Sequence, residues 1–135
     1  MSGRIFLDTN VLLYSYSEYE PIKKTQALAA ITTGEAWIST QVLIEFVNVN
    51  YRKLKTLWPD IQTSLIELTD NYKIIPTSAS TILQATRIAQ RYGFSWFDSL
   101  IIAAALECGC ETLYSEDLHH GQVIENTLRV VNPFR

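Results

Sequence analysis

The sequence is poor in the residues that build fibrous, disulfide-bonded or membrane-spanning proteins. Its 135 residues include five glycines, four prolines and two cysteines, a composition that excludes a collagen-like or low-complexity chain. No apolar run approaches the roughly 18 residues of a membrane-spanning helix. Asp8 interrupts the apolar start of the chain too early for a secretory signal. We therefore expect one cytoplasmic domain over residues 1–135, with no membrane partner.

Cys108 and Cys110 are the only thiols of the chain. A single residue separates them, which is too few for an unstrained disulfide. We expect free, buried or half-buried thiols at the end of a helix. The absence of a disulfide framework fits a reducing compartment.

Basic residues are also scarce, since 11 lysines and arginines face 14 acids and give a formal charge of −3. That balance usually argues against a nucleic-acid-binding protein. Four of the 14 acids could however cluster around metal ions that neutralise them. Ten acids would then remain against eleven basic residues, a net charge of +1 for the rest of the chain. Net charge alone therefore does not decide the partner.

Short apolar runs alternate with longer helical patterns along the chain. Strands are predicted over residues 4–8, 36–39, 73–76, 111–115 and 129–132, and helices over 21–33, 40–54, from 59, 78–92 and 96–108. This alternation predicts an α/β domain with about five parallel strands and helices on both faces. In such domains, functional sites form beyond the carboxyl ends of the strands.

Two aspartates stand at such strand ends. Asp8 closes the first predicted strand, and Asp117 follows the fourth. Either one alone is equally well explained as a helix N-cap or a turn residue.

Glu45 falls within an apolar stripe that Val42, Phe46 and Val49 form on the predicted third helix. An unpaired carboxylate inside that stripe costs at least a few kcal/mol. Either the helix turns Glu45 to the water at its rim, or a cation neutralises it.

Asp98 begins the most apolar predicted helix, three residues after Ser95. This spacing is close to a capping box, and an acid in the first turn also suits the helix dipole. Capping alone accounts for Asp98 without any function.

Together the four acids point to a shared cation, because carboxylates that converge repel one another unless a multivalent ion joins them. Oxygen ligands of this kind suit Mg²⁺ or Mn²⁺. Thr9, Asn10 and Ser115 are expected to support the site with hydroxyl and amide groups.

Four short motifs in this order resemble the PIN-domain ribonucleases, especially the VapC-type toxins of bacterial toxin–antitoxin pairs. They are Phe6-Leu7-Asp8-Thr9-Asn10-Val11-Leu12, Glu45 in a helix after a strand that ends at Ser39, Trp96-Phe97-Asp98-Ser99-Leu100-Ile101-Ile102-Ala103-Ala104-Ala105, and Ser115-Glu116-Asp117 with Gly121 downstream. The resemblance spans nearly the whole chain.

The resemblance implies a PIN-like fold and an Mg²⁺- or Mn²⁺-dependent endoribonuclease of a type II toxin–antitoxin system. It assigns Asp8, Glu45, Asp98 and Asp117 as both metal ligands and catalytic residues. A metal held by them lowers the pKa of a water, which attacks the phosphodiester of RNA. The resemblance also implies a homodimer and a cognate antitoxin protein.

Other functions remain open at this point. A phosphatase of the haloacid-dehalogenase type needs an acid two residues after its nucleophilic aspartate. This chain has Asn10 at that distance from Asp8, which argues against such a phosphatase. A non-catalytic PIN-like or receiver-like module that binds a partner is the main alternative. The pair His119 and His120 is expected to lie exposed on a loop, because adjacent histidines rarely chelate one zinc ion.

Two further groups of residues have two interpretations each. The basic segment 52–55 and the pair Arg87 and Arg91 form either solvated helix faces or contacts to an RNA backbone. The aromatic residues Tyr14, Tyr16, Tyr19 and Trp58 serve the core or a dimer, or else stack bases or receive an antitoxin peptide.

Overall fold

The computed structural model describes residues 3–135. Six helices and six strands follow one another in the order β1 Arg4–Leu7, α1 Thr9–Ser15, α2 Pro21–Ile31, β2 Glu35–Ser39, α3 Thr40–Arg52, α4 Trp58–Asn71, β3 Lys73–Ile75, α5 Ala79–Tyr92, α6 Trp96–Glu107, β4 Thr112–Tyr114, β5 Val123–Ile124 and β6 Leu128–Val131.

The strands form one sheet in the order β3-β2-β1-β4-β6-β5. Five of them are parallel: β1 pairs with β2 and β4, β2 pairs with β3, and β4 pairs with β6. The predicted parallel sheet with helices on both faces is confirmed. The two-residue strand β5 adds an antiparallel edge beside β6.

Local sequence signals set several helix ends. The hydroxyl of Ser78 accepts a hydrogen bond from the Thr81 amide, and the Thr81 side chain bonds back to the Ser78 amide, so α5 begins with a complete capping box. The helix ends at Gly93, whose φ of 77° is left-handed and costs glycine little.

The central strands and α6 form the core. Phe6, Leu7, Ile38, Leu113 and Val130 on the four central strands are fully buried. The segment Ser99–Ala105 of α6 is buried throughout, as expected for a helix that is apolar on every side. None of the helices in residues 3–135 is long and apolar enough to cross a bilayer.

Cys108 and Cys110 follow α6 as free, buried thiols, as predicted. Their sulfur atoms lie 3.3 Å apart. Gly109 between them takes a φ of 71°, which turns the chain from the end of α6 toward β4.

Candidate active-site cleft

Three neighbouring strands of the sheet deliver the site residues at their carboxyl ends. Asp8 follows β1 directly, and its amide extends the ladder by donating to the Tyr114 carbonyl at 3.0 Å. Ser39 ends β2 and caps α3, the helix that carries Glu45. Ser115 follows β4. The parallel order β2-β1-β4 therefore gathers these residues at one edge, as the strand-end rule predicts.

Asp8 is the most buried of the four predicted acids, with 6% of its surface exposed. It is the N-cap of α1, and its carboxylate accepts from the Thr9 amide at 2.7 Å and the Ser115 hydroxyl at 2.8 Å. Burial raises the pKa of Asp8 from its usual 3.8 to about 6; these two bonds oppose the rise, and the charges of Glu45 and Asp98 add to it. The predicted N-cap role of Asp8 is therefore confirmed, and its carboxylate also lies near two other acids of the cleft.

Glu45 is half-buried, and neutral donors satisfy both of its oxygens. The Thr9 hydroxyl donates to Oε2 at 2.6 Å, and Gln41 Nε2 donates to Oε1 at 2.9 Å. No ion pair within residues 3–135 includes Glu45. Neutral hydrogen-bond donors thus orient the carboxylate, and neither of the two sequence alternatives included them.

Asp98 is half-buried in the first turn of α6. Its amide donates to the Ser95 hydroxyl at 3.2 Å, which confirms the predicted N-cap. Within the described chain, the Asp98 carboxylate accepts no hydrogen bond from the Ser95 amide. Half of the predicted capping box therefore forms, and the carboxylate is left available to the cleft.

Asp117 is exposed at the outer edge of the same cleft. Asn10 Nδ2 donates to its Oδ2 at 3.0 Å, while Asn10 Oδ1 accepts from the Glu116 amide at 3.3 Å. The Asp117 amide donates to the Ser115 hydroxyl at 3.2 Å, which in turn donates to Asp8. The supporting residues predicted from the sequence therefore link the first and the last acidic motifs.

All four acids line one open cleft of about 210 Å³. Its other lining residues are the polar Thr9 and Asn10 and the apolar Leu13, Val49, Phe97 and Ile101. The cleft therefore combines acidic and apolar lining residues.

The carboxylates share the cleft without closing on a single point. Across residues 3–135, no three histidine, cysteine or acidic side chains converge tightly enough to hold a metal ion as they stand. Mutual repulsion of unneutralised carboxylates accounts for this spread. The oxygen donor set is of the kind that suits Mg²⁺ or Mn²⁺.

The lysine beside the cleft is engaged by a fifth acid. Lys23 Nζ lies 2.6 Å from Oε2 of Glu116, and it donates to the Tyr14 hydroxyl at 3.1 Å. None of the three ion pairs found in the described residues includes Asp8, Glu45, Asp98 or Asp117. The protein thus neutralises Glu116 and leaves the four cleft acids without a basic partner.

Gln41 is a site residue that the sequence interpretation missed. It is buried on α3, one turn before Glu45, and its Nε2 also lies 3.4 Å from the Phe97 carbonyl next to Asp98. The i, i+4 spacing of Gln41 and Glu45 was the available signal. Gln41 ties the helix that carries Glu45 to the turn that carries Asp98.

The histidine pair lies on an exposed loop, as predicted. His120 Nδ1 accepts a hydrogen bond from the Asn132 amide at 3.0 Å. Neither histidine lines the cleft, so the pair takes no part in the acidic site.

Comparison with known proteins identifies the family. The model of the PIN domain family matches residues 5–125. No curated protein sequence is similar enough to be matched with this chain.

Several solved structures share the fold at low sequence identity. A toxin–antitoxin complex from Klebsiella pneumoniae has a TM-score of 0.74 at 21% identity, covering 96% of this chain and 97% of that chain. VapBC2 from Rickettsia felis, bound to a promoter DNA fragment, has a TM-score of 0.66 at 20% identity, over 96% and 99%.

VapC20 of Mycobacterium tuberculosis, described as a toxin that cleaves the sarcin-ricin loop, has a TM-score of 0.61 at 20% identity, over 81% of this chain and 86% of that one. At these identities the likeness establishes the fold, which is that of VapC-type chains. With the family match over most of its length, this chain belongs to the PIN domain family.

Proposed function

We propose that this protein is an endoribonuclease that depends on Mg²⁺ or Mn²⁺, and that it is the toxin of a type II toxin–antitoxin pair. One observation carries the proposal: four carboxylates from four separate segments line a single cleft at the carboxyl end of a parallel sheet. The ion pairs of the described chain leave all four without a basic partner. A folded protein keeps such a repulsive set only where function compensates for the lost stability.

Asp8, Glu45, Asp98 and Asp117 are the residues that would hold the ion. When bound, the metal supplies Lewis acidity, which polarises the phosphodiester and lowers the pKa of the attacking water. The high pKa of Asp8, about 6, supports this assignment, since a cation nearby relieves the same burial and repulsion that raise it.

The surrounding residues orient these carboxylates. Thr9 and Gln41 hold the two oxygens of Glu45, while Ser115 holds Asp8 and Asn10 holds Asp117. The hydroxyls of Thr9 and Ser115 donate to the carboxylates of Glu45 and Asp8, and we assign them to orienting these acids and not to nucleophilic attack. Their role is to fix the acids in place before the substrate binds.

RNA is the proposed substrate because the sequence motifs resemble those of the PIN-domain ribonucleases and because one structural neighbour is described as a sarcin-ricin loop cleaving toxin. The cleft is open to solvent, so it admits a strand from the side and does not require a free end. We therefore propose internal cleavage that leaves 5′-phosphate and 3′-hydroxyl ends.

A cognate antitoxin and a homodimer complete the proposal. The neighbours from Klebsiella pneumoniae, Rickettsia felis and Salmonella typhimurium are described as toxin–antitoxin or VapBC complexes, the last two bound to DNA.

A cleavage assay with purified protein tests the nuclease proposal. Single-stranded RNA should be cut in Mg²⁺ or Mn²⁺ and remain intact in excess chelator. Glu45→Gln should lose activity by orders of magnitude, whereas Glu67→Gln on the exposed face of α4 provides a matched control that stays active. Undiminished cleavage in chelator would refute the metal dependence.

A further inference from the structure

Residues 51–58, where α3 ends and α4 begins, form an exposed surface that combines cations with stacked aromatic rings; we name it the α3–α4 corner. We infer that this corner binds the backbone and one base of the single-stranded RNA that enters the cleft. The inference rests on the proposed function and extends it, because it assigns the path of the substrate on one side of the acids.

The corner continues one wall of the cleft. Glu45 and Val49 both line the cleft from α3. Arg52 and Lys53 follow Val49 by three and four residues, so they extend the same helix face by one turn. At about 1.5 Å per residue, they lie roughly 10–12 Å along the helix from Glu45. A strand crossing the acids can therefore reach both cations.

The charge of the corner is unpaired and local. Three of the eleven basic residues form ion pairs in the described chain: Arg4, Lys23 and Arg91. Three of the other eight, namely Arg52, Lys53 and Lys55, stand within four consecutive exposed positions. The acid nearest in sequence is Asp60, in the first turn of α4. An acidic cleft repels a phosphate backbone, so cations beside it offset that repulsion.

The aromatic part of the corner is a stacked pair. The rings of Tyr51 and Trp58 have centroids 4.6 Å apart and planes inclined by 21°. Each residue is 50% exposed. A stacked pair leaves its outer ring faces free, and such faces bind nucleic-acid bases without a sequence preference.

Hydrogen bonds hold the corner in this shape. The Thr56 amide donates to the Asn50 carbonyl at 2.9 Å, and the Thr56 hydroxyl donates to Asn50 Oδ1 at 3.1 Å. Lys55 between them takes a left-handed φ of 55°. The segment is therefore an ordered turn that fixes the cations relative to the aromatic pair.

A protein partner is the competing occupant, since Leu54 and Leu57 are also exposed at the corner. Charge complementarity favours RNA: the corner carries three cations without an ion-pair partner in the described chain, and two of them continue the helix face that lines the cleft. The test below separates the two occupants.

The experiment measures the affinity of the full chain for a short fluorescent single-stranded RNA of mixed sequence, in excess chelator and over a range of salt concentrations. Arg52, Lys53 and Lys55 are replaced together by alanine. The matched control replaces Lys24, Lys73 and Arg129 by alanine, which removes the same charge elsewhere. Melting curves verify that both variants fold.

The corner variant should bind at least tenfold more weakly, and its slope of log affinity against log salt should be shallower by about 2, or about 0.7 for each lost phosphate contact. The control should change less than threefold. Trp58→Ala should weaken binding severalfold, and Trp58→Phe should restore it because an aromatic face remains. In Mn²⁺, the corner variant should show a raised KM for RNA cleavage.

Equal affinity and equal salt slope for the corner and control variants would overturn the inference and leave the corner to a protein partner. If the nuclease proposal is wrong but the corner proposal is right, the pattern differs. The protein would then bind RNA through the corner and would not cleave that RNA in Mn²⁺. If both variants cleave RNA with the same KM, the inference about the corner is contradicted while the nuclease proposal stands.

Discussion

The Thr9 hydroxyl donates a 2.6 Å hydrogen bond to Oε2 of Glu45, and this bond joins the start of α1 to the middle of α3 across the cleft. Thr9 is itself buried, and its amide donates to Asp8. One residue thus contacts two of the four acids through different groups. A bond from a neutral donor fixes the direction of Glu45 without cancelling the charge that a metal needs.

Thr9→Val tests this bond, because valine keeps the shape and removes the hydroxyl. Hydrogen bonds to charged groups contribute about 1.5–3 kcal/mol, so the free energy of unfolding should fall by about that amount. Nuclease activity should fall by about tenfold to a hundredfold as Glu45 loses its orientation. Thr9→Ser should retain most of both. A fully active Thr9→Val protein would remove Thr9 from the site.

Gln41→Leu should separate activity from stability. The variant loses the bond to Glu45, but it also removes Gln41 Oε1, a buried oxygen that has no partner within the described residues. Losing a charge-assisted bond and relieving an unsatisfied acceptor are each worth about 1–3 kcal/mol, so stability should change by less than about 1 kcal/mol. Activity should fall about tenfold, as a cleavage time course measures.

Thr77→Val is the matched control for Gln41, since Thr77 Oγ1 is the other buried, unpartnered side-chain oxygen and does not line the cleft. It should gain about 1 kcal/mol of stability and leave cleavage unchanged. Full activity in Gln41→Leu would show that Glu45 needs no support from Gln41.

Substitutions at Ser95 and Asp98 distinguish the helix-capping role of these residues from the proposed metal-binding role of Asp98. Ser95→Ala removes the hydroxyl that accepts from the Asp98 amide, which should cost about 1 kcal/mol of stability and spare activity. Asp98→Asn keeps the size but loses the charge, so cleavage should fall by orders of magnitude while the fold survives. If the Asp98→Asn enzyme remains active, Asp98 serves only the helix.

The pKa of Asp8 predicts how stability depends on pH in the metal-free protein. Well below pH 3.8 the Asp8 carboxyl is protonated in both the folded and the unfolded state. Its burial then costs no free energy for desolvating a charge. Between that pH and about 6 the folded state binds more protons, so stability falls as pH rises, by on the order of 3 kcal/mol in total.

Urea unfolding in chelator across pH 4–7 measures this dependence. Asp8→Asn should remove this fall, because asparagine does not ionise. At pH 7 the variant should be more stable than the parent by only about 1 kcal/mol, because the amide has one acceptor oxygen for the two donors that hold Asp8. A parent protein whose stability rises across this range would contradict the burial argument.

Most of the fold follows from the sequence because the local signals agree with the packing. Pro21 opens α2, Gly93 closes α5, and the apolar run of α6 is buried on every side. The strand ends also place Asp8 and Asp117 at one edge of the sheet. These features depend on neighbours in the chain, which periodicity and capping rules describe well.

The remaining features depend on contacts between distant segments. The seven-residue helix α1 was not predicted, because its start signal, the Asp8 cap, coincides with the end of β1. The two-residue strand β5 exists only by pairing with β6. The neutral partners of Glu45 lie four and 36 residues away, and apolar periodicity carries no information about the second.

The effect of Mn²⁺ on thermal stability tests the central claim most directly, namely that the four acids together hold a divalent cation. Melting curves are recorded in chelator and in Mn²⁺ for the parent and for Asp8→Asn, Glu45→Gln, Asp98→Asn and Asp117→Asn. The parent should melt higher in Mn²⁺, because an ion that binds only the folded state stabilises it. Each variant should lose most of that gain, whereas variants that keep the full Mn²⁺ shift would contradict the four-carboxylate site.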